Sequence, residues 1–268
     1  MLARAMKMAF WVTYDHLGKF LVLGLIWSLA LVLPGWVAFV GLFNDDPAVR
    51  ALIGVPAAAF AFGVVLPIPS VGLAHLIKVL IDQRDGSIGD FFRGIRQYAL
   101  RAVVIGVLFV FAAASLSTST WFYAAKLRDA APWLGYAISG FALWCLLFAA
   151  LVALFVLPAL VQKKGGLWET LKLAAVLVLD NPLFALGLAF QVLALTALCL
   201  AIFPLFLFIY GPAVAALTGS AYEMLARKYA AKSAETGTVL PNQHPYPDDE
   251  EDDYLNRGFR DFLFPWKG

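Results

Sequence analysis

Charged residues are scarce in this sequence of 268 residues. Only 14% of them are Asp, Glu, Lys or Arg, and 62% are hydrophobic. A soluble domain carries about 25% charged and about 45–50% apolar residues, so the excess of apolar side chains has no soluble core to fill. We therefore expect an integral membrane protein whose main partner is the lipid bilayer, and we expect no nucleic-acid partner.

Cysteine and catalytic motifs are scarce as well. The two cysteines, Cys145 and Cys199, lie in long apolar runs and are too few for a disulfide framework or a cysteine-based metal site. The chain has no H-E-x-x-H motif, no Walker phosphate loop and no G-x-S-x-G elbow. We therefore predict that the protein is not an enzyme and has no catalytic residue, no metal site and no cofactor.

The long apolar runs predict an all-α membrane protein, a bundle of about six transmembrane helices within residues 1–229. A membrane crossing needs about 20 apolar residues, and the sixth run is short enough to be a half-span. The predicted spans cover residues 20–43, 50–81, 102–123, 133–161, 182–203 and 213–229.

Basic residues fall unequally on the two sides that six spans define. Of the 20 Lys and Arg residues, 17 lie before span 1, in the turns 78–101 and 162–181, or from residue 227 onwards. Basic loops stay in the cytoplasm. The pattern predicts a multi-pass protein of the cytoplasmic membrane with its N-terminus and its C-terminus inside.

Basic amphipathic helices are predicted on the cytoplasmic side, at residues 1–19, 88–99 and from 167 onwards. Ser87 and Asp90 have the spacing of a capping pair that begins the second of these helices. Helices of this kind lie in the headgroup layer, which makes Arg93, Arg96 and Arg101 candidate contacts for lipid headgroups or for a partner. The alternative is that these arginines only reflect the topology.

Two prolines near the end of predicted span 2 indicate a local break in that helix. A proline removes a backbone donor, and a broken helix is tolerated in a membrane only where protein or a wet cavity satisfies the freed groups. The candidate polar and kink positions at this break are Pro67, Pro69, Ser70 and Gly72. A structural kink without a functional role is the alternative.

Polar side chains within the predicted spans are few. His75 lies near the cytoplasmic end of span 2, and Gln191 lies within span 5. Either can line a polar path, but each has a structural alternative: His75 bonded to a neighbour, and Gln191 joining two helices. No acidic or basic residue lies in the middle of a predicted span, which argues against a proton relay or a carboxylate-coupled carrier.

The last part of the sequence divides into two predicted segments. Residues 230–253 are polar and end in six consecutive acidic residues, which repel one another, so we predict a disordered, solvated linker. Residues 254–268 carry aromatic residues at helical spacing with basic residues opposite. We expect this amphipathic segment to dock on the membrane surface or on the cytoplasmic face of the bundle.

The residues from Pro67 to Arg101 resemble the YesL-like family of bacterial membrane proteins, a domain family of unknown function. The resemblance is carried by the stretch 67–72, by Asp85-Gly86, by the stretch 91–97 and by the turn 180–183. It implies a bacterial inner-membrane protein that accompanies carbohydrate-uptake systems without an established activity of its own.

Two functions from different classes remain open. The first is a non-enzymatic accessory protein that associates with membrane transporter subunits or with itself, in carbohydrate uptake. The second is a small-solute permease, whose cavity we expect to be lined by Ser70, His75 and Gln191. A membrane enzyme is a distant third.

Overall fold

The computed structural model of the chain describes residues 1–126, 131–162, 165–235 and 252–258. These residues form an all-α membrane bundle, as predicted, because six of their helices are long and apolar enough to cross a membrane. In order, spans 1 to 6 are Leu17–Leu42, Pro47–Gln83, Ile88–Lys126, Pro132–Gln162, Pro182–Ala201 and Phe203–Lys232.

A first helix, Leu2–Asp15, precedes span 1 and lies along the bundle. Met8 and Val12 on one face are fully buried, and the helix packs mainly against span 6. Phe10 on the other face is 49% exposed. The predicted amphipathic helix therefore combines a face packed on protein with an apolar face left open.

Span 2 passes its prolines without a break. The stretches Arg50–Gly54 and Ala61–Val65 are π-helical, and each ends two residues before a proline, Pro56 or Pro67. A proline ring clashes with the carbonyl group four residues earlier, and one extra residue in the turn makes room for the ring. The predicted broken helix at Pro67 and Pro69 is therefore wrong: the helix widens and continues.

Span 3 and the amphipathic helix predicted before it are one 38-residue α-helix, Ile88–Ala125. Its length of about 57 Å, at about 1.5 Å per residue, exceeds the roughly 30 Å hydrocarbon layer, so one end projects from the membrane. The predicted capping pair is confirmed, since the Ser87 N–H donates to Asp90 Oδ2 at 2.8 Å.

Span 6 is a full-length helix. A linking helix, Leu167–Asp180, leads into span 5, and the chain turns at Ile202 directly into Phe203–Leu205, a π-helical turn at Phe206–Tyr210 and the α-helix Gly211–Glu235. The suggested half-span is wrong, because the apolar helix covers 30 residues. The helix also continues beyond residue 229, where the linker was predicted to begin.

Glycines of neighbouring spans lie against each of the three π-helical turns in the described residues. Gly24 and Gly106 contact the carbonyl oxygens of Phe208 and Gly63, which stand four residues before Pro212 and Pro67. A Cβ atom at either glycine would overlap these oxygens. Close backbone approach at small residues is the usual way that membrane helices pack, so these contacts fix where spans 1 and 3 meet spans 6 and 2.

Gly41 of span 1 makes the corresponding contact with the first π-helical turn. A Cβ atom there would lie 2.6 Å from the Gly54 Cα atom. Spans 1 and 2 therefore touch through glycine on both sides.

Residues 252–258 dock back onto the bundle through a short helical turn, Asp253–Asn256, which packs on the first helix. This corrects part of the linker prediction, since Asp252 is 1% exposed rather than solvated. The described part of the amphipathic segment docks on the bundle, which was one of its two predicted positions. The rest of the predicted linker, 236–251, and residues 259–268 lie outside the described residues.

Candidate functional site

A cavity of about 660 Å³ lies between the spans and is partly open at the bundle surface. Its walls come from spans 1, 2, 4, 5 and 6. None of the residues that line it is charged, and most are aliphatic. A space of this size and character suits a small apolar molecule far better than an ion.

One wall of the cavity is aromatic. The Phe206 and Tyr210 rings stack with centroids 5.0 Å apart, and Trp27 meets Tyr210 edge to face at 5.8 Å. The widened turn at Phe206–Tyr210 places both of its rings on this wall. Gly211 contacts the Trp27 indole, so a side chain at residue 211 would push that ring away.

Hydroxyl groups in the walls bond mainly to the protein itself. Ser28 Oγ donates to the Leu207 carbonyl at 2.8 Å, which satisfies a backbone group of the π-helical turn. Thr218 Oγ1 donates to the Val214 carbonyl at 2.9 Å. These bonds stabilise the walls and leave little polarity for a guest molecule.

The remaining polar groups of the walls form two pairs. Thr196 Oγ1 donates to the Val192 carbonyl at 2.7 Å, so Tyr210 is the donor in the 3.0 Å bond between the Tyr210 and Thr196 hydroxyls. Trp27 Nε1 donates to Ser70 Oγ at 3.0 Å. Among the described lining hydroxyls, that of Ser70 alone keeps its proton available for a guest.

A second cavity of about 370 Å³ adjoins the first. Spans 2, 3 and 4 line it, and it is also free of charged residues. The residues that line both cavities are Phe62, Leu66, Ser70, Ala153 and Leu157. Ser70 therefore stands at the boundary between the two spaces.

The structure separates the candidate residues of span 2. Ser70 lines both cavities, and Pro67 lines the second. Pro69 is buried without lining either cavity, and Gly72 packs against the Phe91 and Ile95 side chains.

The other two polar candidates lie away from both cavities. His75 is half-buried against Gly94 and the Tyr98 ring, at 5.9 Å between ring centroids. Gln191 is partly exposed on span 5 and makes no side-chain hydrogen bond within the described residues. The structure therefore brings neither residue to Ser70.

The three candidate arginines lie on exposed surface at the start of span 3. Arg93 is 71% exposed and pairs with Asp90 at 2.7 Å, and Arg101 donates to the Gly165 carbonyl at 3.3 Å. Arg96 is also exposed. Their position is compatible with lipid headgroups, and that role stays a prediction.

A second group of polar residues, not anticipated from the sequence, gathers where residues 252–258 dock. Asp252 Oδ1 accepts from Arg84 Nη2 at 2.6 Å, and its Oδ2 lies 2.7 Å from Arg227 Nη2. Arg227 also donates to Glu223 at 2.9 Å. We call the surface that receives residues 252–258 the docking face. It consists of Arg84, Glu223, Arg227 and the first helix.

Further contacts hold residues 252–258 on the docking face. The Tyr254 ring covers the Arg84 guanidinium at 3.8 Å, and Lys7 Nζ donates to the Leu255 carbonyl at 2.5 Å. Arg257 pairs with Asp15 at the end of the first helix. Arg84 itself ends span 2 with a φ of 59°, a left-handed conformation that turns its side chain out of the helix.

Burial and charge act against each other on the Asp252 carboxyl. Burial alone would raise its pKa, but the hydrogen bond from Arg84 and the charges of Arg84 and Arg227 lower the pKa below the ordinary value. Burial raises the pKa of the neighbouring Tyr254 hydroxyl. Asp252 is therefore ionised at neutral pH, and its negative charge is paired with the positive charges of Arg84 and Arg227.

The sequence carried a faint signal of this cluster. Glu223 and Arg227 are spaced four residues apart, which places them on one helix face, and both lie inside predicted span 6. The prediction that no acidic or basic residue lies in the middle of a predicted span is therefore wrong for span 6. Among the described residues, no group of three or more His, Cys, Asp or Glu side chains is placed to hold a metal ion.

Comparison with known proteins gives no relative for this chain: no family model matches it, and neither a curated protein nor a solved structure shows significant similarity. The resemblance to the YesL-like family stays a prediction.

Proposed function

We propose that the protein is a non-enzymatic membrane protein that binds one apolar or amphipathic molecule, of the kind of a lipid chain, in its intramembrane cavity. The observation that carries this proposal is a cavity of about 660 Å³ without a charged lining residue. Pockets of about 300–1,000 Å³ are the usual size for small-molecule ligands.

Selectivity for such a guest must come from shape and from a few contacts. Lipid tails are as apolar as the cavity walls, so the hydrophobic effect gives no net preference for the protein. The aromatic wall of Trp27, Phe206 and Tyr210 supplies a rigid surface, and Ser70 supplies one hydrogen-bond donor. These features favour a long guest with a single polar group.

The walls support a polar solute poorly. A sugar presents hydroxyl groups on every side, and each one buried without a partner costs about 1–3 kcal/mol. The permease alternative expected Ser70, His75 and Gln191 around one cavity, and only Ser70 lines it. An accessory role in carbohydrate uptake stays a prediction.

The membrane and its orientation also remain part of the proposal. We assign the docking face to the cytoplasmic side of the membrane, on the distribution of Lys and Arg. The docking of residues 252–258 on the first helix supports placing both segments on one side of the membrane.

Filling the cavity tests the proposal. Gly35 lines the cavity, and a Cβ atom there would meet no other atom within 4 Å, so we expect Gly35→Leu to project into the cavity. Gly140 also has open space but does not line the cavity, which makes Gly140→Leu a matched control. The measurement is the binding of a fluorescent long-chain fatty acid to the purified protein in detergent, titrated for all three proteins.

We expect saturable binding to the wild type, unchanged binding to Gly140→Leu and at least about tenfold weaker binding to Gly35→Leu, a loss of about 1.4 kcal/mol. Maltose added in excess should not compete with the fatty acid. Equal binding to all three proteins, or displacement by maltose, would contradict the proposal.

A further inference from the structure

The docking face binds a carboxylate of the same chain, that of Asp252. Asp252 bridges two guanidinium groups, with one oxygen on Arg84, which directly follows span 2, and the other on Arg227 of span 6. The side chains of Asp252 and Arg227 are 0% and 9% exposed, and that of Arg84 is 33% exposed. A single anionic group thus joins the ends of spans 2 and 6 in a site that is open to water only at Arg84.

Asp252 is the carboxylate with which Arg84 pairs. Arg227 also pairs with Glu223, and Asp82 is a further acidic group whose charge acts on Glu223. If residues 252–258 lift away, Arg84 loses this ion pair while Arg227 keeps Glu223. Removing one partner of an ion pair is unfavourable, which favours replacement of the carboxylate by another anion.

A phosphate group has the chemistry to replace it. Arginine binds phosphate through two parallel N–H donors, and two arginines can share the oxygens of one phosphate. When residues 252–258 leave, Lys7 also loses its bond to the Leu255 carbonyl, and Asp15 loses Arg257. Glu223, on which the charge of Asp82 acts, stays beside Arg227 as an acidic group that the phosphate must tolerate.

We infer that Arg84 and Arg227 form an anion-binding site, occupied within the chain by Asp252, and that a phosphate group displaces Asp252 and releases residues 252–258 from the docking face. The incoming phosphate is either a lipid headgroup or free phosphate, which share this chemistry. This inference does not depend on the apolar cavity, since the two sites share no residue.

Hydrogen exchange of the full-length protein in nanodiscs tests the inference. The Tyr254 N–H is bonded to Asp252 Oδ1 at 3.0 Å, and the Leu255 N–H is bonded to the Asp252 carbonyl at 2.9 Å, so both report docking. Exchange is compared in phosphatidylcholine, in phosphatidylcholine with inorganic phosphate, and in a bilayer rich in phosphatidic acid. Potassium chloride matches the ionic strength throughout.

We expect exchange of these amides to rise about tenfold or more when the site is taken by phosphate. A rise only with phosphatidic acid identifies a lipid headgroup as the source, and a rise with inorganic phosphate as well identifies free phosphate. Unchanged exchange in both conditions overturns the inference.

Neighbouring carboxylates provide a matched control. Asp252→Asn should exchange fast in phosphatidylcholine alone and should no longer respond to phosphate. Asp253→Asn removes the same charge from an exposed position and should behave like the wild type. Equal behaviour of the two variants would contradict a specific site, and the wild-type comparison decides the question if Asp252→Asn does not fold.

Discussion

The intramembrane cavity and the docking face use their polar residues in opposite ways. In the cavity, hydroxyl groups bond to the surrounding helices and no charge is present. At the docking face, acidic and basic side chains of distant segments are brought together in ion pairs. Polar groups of the cavity walls therefore hold neighbouring helices together, whereas buried charged groups at the docking face hold together segments that are distant in the sequence.

The largest effect is expected at the docking face. Arg227→Gln leaves Glu223 and Asp252 without their shared partner, and breaking a buried ion pair costs about 3–5 kcal/mol. The free energy of unfolding, measured by titration with sodium dodecyl sulfate in mixed micelles, should fall by that amount.

The control for this variant is Arg93→Gln, which removes an exposed pair with Asp90. Exposed pairs contribute about 0–1 kcal/mol, so the loss should be small. If both variants lost the same free energy of unfolding, the ion pairs of the docking face would be no stronger than an exposed pair elsewhere on the surface.

A smaller loss of stability is expected at Gly24, which lies against the π-helical turn that forms one wall of the cavity. Gly24→Ala brings a Cβ atom into the Phe208 carbonyl of the π-helical turn, and overpacking costs about 1–3 kcal/mol. The same substitution at Gly18, in open space on the same helix, should not lower the melting temperature in detergent. A tolerated Gly24→Ala would show that this contact does not position the wall.

Removing one wall hydrogen bond should cost less. Ser28→Ala leaves the Leu207 carbonyl without its donor, at an expected loss of about 1 kcal/mol. Ser115→Ala, at an exposed position on span 3, serves as the control. Thermal unfolding of both variants measures the difference, and no loss for Ser28→Ala would mean that the turn finds another donor.

Acidification should release residues 252–258 from the docking face only at low pH. The pKa of Asp252 is lowered in the folded protein, so its contribution to docking is complete above its ordinary pKa of about 3.9 and is lost as the pH falls through the lowered value. Proteolytic protection of residues 252–258 should therefore stay constant from pH 8 to about pH 5. Release near pH 6 would show that another group controls docking.

The sequence predicted the spans well because hydropathy is a local property of each segment. Residues 254–258 were likewise expected to dock, since aromatic residues rarely remain in water. Ser70 was found through the prolines beside it, although the reason was different: the helix widens at Pro67 instead of breaking. Widening needs a neighbour with room for the turn, and the sequence does not show that Gly106 is that neighbour.

Contacts between distant segments could not be predicted from the sequence. Asp252 belongs to an acidic run that normally stays in solvent, and its partner Arg84 lies 168 residues away. Trp27 and Tyr210 look like ordinary span residues until spans 1 and 6 are packed together. His75 and Gln191 stood out only because polar residues are rare in the spans, which says nothing about the direction they face.

Native mass spectrometry of the protein released from its own membrane tests the central claim most directly. We expect the wild type and Gly140→Leu each to retain one apolar molecule through mild delipidation, and we expect Gly35→Leu to lose it. A wild type that carries no such molecule, or a Gly35→Leu variant that retains it as firmly as the wild type, would contradict a binding function for the cavity.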